Sequence, residues 1–111
     1  MDDNAKRFLN LFQGFMGAHG QTEVLKSQRN GKQQAKYVIV REPLTVELVQ
    51  SHLDGALGLG SIPIDENNQC LFGALDIDDY NLDLPQIAKS IKRLKLPLTV
   101  CRSKSGGAHL Y

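Results

Sequence analysis

Two short segments of this 111-residue chain gather the residue types that bind ions and phosphates. The first is Leu75-Asp76-Ile77-Asp78-Asp79. In a strand, side chains at i and i+2 share a face about 6.5 to 7 Å apart, so Asp76 and Asp78 are expected to project together, with Leu75 and Ile77 on the other face. Two carboxylates held that close repel unless a cation lies between them or one is protonated. Such pairs hold Mg²⁺ or Mn²⁺, which then bridges to substrate phosphates. A strand end whose last acidic residues face water gives the same pattern. Against it stands Asp76, which interrupts an apolar strand before its apolar run is over. The second segment is Arg102-Ser103-Lys104-Ser105-Gly106-Gly107-Ala108-His109. Serine hydroxyls, cations and glycines so close together can surround a phosphate with donors, the glycines admitting backbone N–H groups. His109 can donate to the same anion. A solvent-exposed hairpin loop reads the same way, and a single histidine on a strand is more often structural than catalytic.

These segments need elements to hold them. Apolar residues at Phe8, Leu9, Leu11, Phe12, Phe15 and Met16 recur at helical spacing, predicting a helix from about Asp3 to Met16 with Asp2 or Asp3 as its cap. Gly17 to Lys36 is polar and reads as a long loop. Its Lys26, Arg29, Lys32 and Lys36 suit phosphates or plain solvent. Tyr37 to Val40 is β-branched and predicts a strand ended by Pro43. Thr45 caps a second helix carrying Val46, Val49, Leu53, Ala56 and Leu57, stopped by Gly58 and Gly60. Ser61 to Ile64 reads as an edge strand because of Pro63, and Asp65 to Asn68 as a turn. Cys70 to Ile77 predicts one long strand. Asp83 caps a third helix with Pro85 in its first turn and Leu84, Ile87, Ala88, Ile91 and Leu94 as its buried stripe. Leu98 to Arg102 and Ala108 to Tyr111 complete the strands, and the order indicates an α+β fold with mixed pairing.

Composition narrows the function classes. Apolar residues at 41% and charged residues at 23% describe a globular chain rather than a disordered one. Thirteen Lys+Arg against twelve Asp+Glu leave a net charge of +1, which excludes a nucleic-acid coater held by bulk charge. Aromatics at 6% with no Trp make a single-strand stacking platform a poor expectation. Cys70 and Cys101 match no metal spacing or disulfide framework. With no signal-peptide layout and no apolar run of spanning length, a reducing, cytoplasmic setting away from membranes is expected.

Taken in order, the strand with Asp-x-Asp, the helix, the strand, the Ser/Gly loop and the histidine resemble the archaeo-eukaryotic primase (primase-polymerase) superfamily. Ala74-Leu75-Asp76-Ile77-Asp78 looks like its first motif, an apolar strand ending Asp-x-Asp. Arg102 to Tyr111 fits the extended Arg-Ser-x-Ser-Gly-x-Ala-His form of its second. His52-Leu53-Asp54-Gly55 and Leu59-Gly60-Ser61-Ile62-Pro63-Ile64 are similar to the lead-in of the primase domain of TOTE conflict systems and related phage or mobile-element genes. The resemblance covers Phe8 to Tyr111. It implies an α/β sandwich whose mixed sheet, packed by helices, is the RRM-like palm half of a primase domain. It also implies a DNA primase/polymerase-type nucleotidyltransferase of DNA replication that transfers phosphoryl groups with two metals. Asp76 and Asp78 would ligate Mg²⁺ or Mn²⁺ and act with His109 in catalysis. Arg102, Ser103, Lys104, Ser105, Gly107 and His109 would hold the nucleoside triphosphate, with DNA as template or primer.

The superfamily carries a third motif, with another metal-binding carboxylate on a later strand. Residues 1–111 are therefore expected to form the N-terminal part of such a domain, through the second motif, and to be incomplete for catalysis alone. The alternative is a non-catalytic regulatory protein derived from a primase half-domain, binding nucleotide, nucleic acid or a protein. In that reading an exposed sheet edge at Tyr111 would take up a second copy or a protein partner. A metal-dependent nuclease also uses paired carboxylates, but gives the Ser-Gly-Gly-x-His loop no role.

Overall fold

The computed structural model describes residues 3–29, 32–104 and 106–111, including the side chains of all but 24–29 and 32–33. Helices and small antiparallel sheets make an α+β fold, divided into two compact units, Met1–Leu71 and Phe72–Tyr111.

In the first unit, α1 (Asn4–Phe12) packs against α2 (Val46–Leu53). The Phe8 ring lies 4.8 Å from that of Phe12 and 5.9 Å from that of His52. Asp3 takes the N-cap position of α1 without a side-chain hydrogen bond, and the helix ends at Phe12 rather than Met16, since Gln13 is already extended. Thr45 caps α2 as expected, its Oγ1 accepting from the Leu48 N–H at 3.2 Å, and Val49 is buried.

The polar stretch expected to be a loop is a hairpin. Strands β1 (His19–Arg29) and β2 (Lys32–Val40) pair antiparallel, with a register shift between Val24 and Gln28, and β3 (Gly58–Gly60) joins β1 on its other side. Apolar alternation marks a strand only when one face is buried against a core. Tyr37 to Val40, expected as a strand, forms the end of β2, whereas the polar residues before it carry almost no apolar side chains to alternate. Lys26, Arg29 and Lys32 belong to these strands, but their side chains lie outside the described residues; Lys36 is exposed. Ser61 to Ile64 adds only an isolated bridge from Ile64 to Cys70. The turn between them is closed by Asp65, whose Oδ1 accepts from the N–H groups of Asn67 and Gln69.

His19 is the largest fully buried side chain described. Its Nδ1–H donates to the Glu42 carbonyl at 2.7 Å, and its Nε2 accepts from the Gln21 amide at 3.0 Å.

The second unit is one helix on one sheet. Strands β4 (Leu75–Ile77) and β5 (Val100–Arg102) flank β6 (Ala108–Leu110), and α3 (Leu84–Arg93) connects β4 to β5. Both flanking strands run antiparallel to β6, so every described ladder is antiparallel; the mixed character survives only in β4 and β5 sharing a direction across the sheet. Asp83 caps α3, accepting from the Gln86 N–H at 3.1 Å, with Pro85 in the first turn. Ile91, Ala108 and Leu110 form the core, packed by Ile77, Leu82, Leu84, Ile87, Leu98 and Val100. Ala88 and Leu94 of the expected stripe are exposed. The long strand expected from Cys70 is regular only over Leu75–Ile77.

The expected free edge at Tyr111 does not exist in this sheet. Ala108 to Leu110 is the middle strand, paired on both sides, and Tyr111 continues the ladder through two backbone bonds to Thr99. The order of strands is a long-range property, and a sequence read one segment at a time does not contain it. No helix in the described residues is long and apolar enough to cross a membrane.

Candidate functional site

The register of the second sheet fixes which residues share a face. Asp76 lies opposite His109 on one side, and Cys101 lies opposite His109 on the other. Alternation sends Ile77, Val100, Ala108 and Leu110 to the helix-covered face and leaves Asp76, His109 and Cys101 in a row on the other. The His109 Nε2 stands 3.5 Å from the Asp76 Oδ1, with the two side chains 42% and 64% exposed. A carboxylate and an imidazole so placed are open to a ligand.

The other residues singled out in the sequence fall in different places. Asp78 lies one residue beyond the end of β4, exposed, so the shared-face argument reaches Asp76 but is not carried to Asp78 by regular strand geometry. Asp79 precedes the turn at Tyr80 and Asn81, its Oδ1 accepting from the Asn81 N–H at 3.0 Å. Arg102 pairs with Ala108, which places it by register on the helix-covered face at the sheet's end. Ser103 and Lys104 open the hairpin between β5 and β6, Lys104 exposed and Ser103 half-buried. Ser105 lies outside the described residues.

That hairpin is closed by backbone bonds from Ser103 N–H to the Gly107 carbonyl at 3.0 Å and from Gly106 N–H to the Ser103 carbonyl at 3.1 Å. Each glycine has its own reason. Gly106 sits at φ +94°, where a side chain is strained. Gly107 is buried, and a Cβ there would fall on the Ile77 carbonyl oxygen and within 3.3 Å of the Ser103 Oγ. The absence of a side chain at Gly107 thus lets the hairpin lie against the end of β4, the strand that holds Asp76.

Two further side chains stand beside His109. The Tyr111 hydroxyl lies 3.5 Å from Nδ1, and the two rings meet edge-on with centroids 6.1 Å apart. Alternation from His109 already puts Tyr111 on the same face. Cys101, an exposed free thiol, becomes a neighbour only once the register is known.

Among the described residues no group of three or more His, Cys, Asp or Glu side chains is gathered closely enough to hold a metal ion. The chemistry of the donors nonetheless fits a hard divalent cation. Mg²⁺ keeps several waters and is commonly bound by one or two carboxylates together with substrate phosphates, and the exposed Asp76 carboxylate is a donor of that kind.

Compared with family models, residues 4–111 match the archaeo-eukaryotic primase domain of TOTE conflict systems. No curated protein and no solved structure matches the chain.

Proposed function

Because the chain belongs to the archaeo-eukaryotic primase domain family of TOTE conflict systems, a nucleotidyltransferase-type family, we propose that its second unit binds a nucleoside triphosphate together with Mg²⁺ or Mn²⁺ for DNA primase/polymerase chemistry. The observation that carries this reading is the pairing of Asp76 with His109 on adjacent strands, 3.5 Å apart on the face that α3 leaves open. Asp76 and Asp78 would hold the cation. When bound, it would neutralise phosphate charge and ease formation of the attacking oxygen.

The chain's own residues supply the rest. An N–H at the His109 Nε2 donates to a phosphate oxygen, and β6, paired on both sides, keeps that donor in place. The Ser103 hydroxyl and the hairpin backbone add further donors to the anion, and Lys104 adds positive charge beside it. A DNA strand is the acceptor.

Calorimetry and Mn²⁺ relaxation enhancement test the cation site. Asp76→Asn with Asp78→Asn should abolish weak cation binding and leave the fold unchanged; equal binding by both proteins would overturn the assignment. His109→Ala should weaken triphosphate binding by about 1 to 3 kcal/mol. Binding without turnover is the alternative outcome, and primer extension with Mn²⁺ separates the two.

A further inference from the structure

His109 has a different neighbour at each ring nitrogen. Nε2 faces the Asp76 carboxylate and Nδ1 faces the Tyr111 hydroxyl, each at 3.5 Å. A carboxylate only accepts, so the nitrogen turned toward it is satisfied by carrying hydrogen. In a neutral imidazole the other nitrogen is then an acceptor, and a phenol O–H is a donor matched to it.

We infer that Tyr111 is a positioning residue for His109: its hydroxyl donates to Nδ1, keeps the ring hydrogen on Nε2 and turns that N–H toward the acidic side of the face. The inference rests on the reading above, in which Nε2–H meets the triphosphate. The Tyr111–His109 hydrogen bond and the His109–Asp76 contact, both at 3.5 Å, are of the kind that tightens in a substrate complex.

Two features hold the phenol in place. Tyr111 exchanges both backbone bonds with Thr99, at 2.8 and 3.0 Å, which fixes the direction of its Cα–Cβ bond just past β6. Its ring meets the imidazole edge-on at 77°, a favourable aromatic arrangement that limits rotation of both rings. His19 supplies the internal contrast. There a backbone carbonyl takes the Nδ1 hydrogen and Nε2 accepts from an amide, so the partners select the opposite tautomer in the same protein.

Nitrogen-15 NMR of ring-labelled histidine in the full chain reads the tautomers directly. The wild type should show Nε2–H at His109 and Nδ1–H at His19 in one spectrum. Tyr111→Phe keeps the ring and removes the hydroxyl. It should leave the His19 signals and backbone amides unchanged, move His109 to a mixture of tautomers and weaken Mg²⁺–triphosphate binding about threefold to tenfold. Nδ1–H at His109 in the wild type, or an unchanged His109 pattern in Tyr111→Phe, would overturn the inference. The tautomer measurement needs no nucleotide. A wild type that fails to bind triphosphate would therefore overturn the proposed function, while the ring signals still decide the role of Tyr111.

Discussion

His19 and His109 are the same side chain in opposite settings. His19, in the first unit, has no exposed surface and both ring nitrogens are engaged at 2.7 and 3.0 Å. His109, in the second, lies on an open sheet face with partners at 3.5 Å on either side. A ring whose hydrogen-bonding capacity is used up inside the fold has nothing left for a ligand. One placed between a carboxylate and a phenol, on a strand paired on both sides, would in the proposed site have a donor to offer an anion. The contrast shows why a histidine's identity says little about its role until its partners are known.

Substituting each histidine should give opposite signatures. His19→Ala should destabilise the first unit by about 2 to 4 kcal/mol, because it opens a cavity and strips the Glu42 carbonyl and Gln21 amide of their partner. Urea unfolding reads the loss, and triphosphate binding by the protein that remains folded should be unaltered. His109→Ala, at a partly exposed ring, should cost about 1 kcal/mol or less, while binding falls. Equal destabilisation by both would erase the distinction.

Between these extremes lies the hairpin beside His109. Gly107→Ala forces a methyl onto the Ile77 carbonyl and should cost about 1 to 3 kcal/mol by overpacking, with amide shifts spreading into β4. The smaller perturbations sharpen the comparison by unit. Thr45→Ala and Asp83→Ala each remove one helix cap and should cost about 1 kcal/mol, with faster amide exchange confined to α2 in the first case and α3 in the second.

Those two caps were also the most legible features of the sequence, because capping is chemistry among residues a few positions apart. Thr45 and Asp83 with Pro85 announced α2 and α3 without reference to anything distant. The order of Asp76, Asp78 and His109 along the chain carried the family resemblance, which the match over residues 4–111 bears out. The geometry of the site was less legible. Asp76 meets His109 only through the register of β4 on β6, and Cys101 only through that of β5, contacts made across 33 and 8 residues of chain. Of the β1–β2 hairpin only Tyr37 to Val40 was legible as a strand, because the polar residues before it carry no apolar alternation to read. The edge expected at Tyr111 belongs instead to the central strand of its sheet, because strand order is settled by the whole unit.

The exposed thiol of Cys101 has a use that owes nothing to catalysis. Its backbone partner across the ladder is His109, so a dye or nitroxide attached there would be anchored about 5 Å from the histidine's Cα. With Cys70→Ser removing the other free thiol, the β5 edge becomes a built-in observation post. From it, occupancy of the neighbouring face would register as quenching or as slowed spin motion, one molecule at a time and without any reaction taking place.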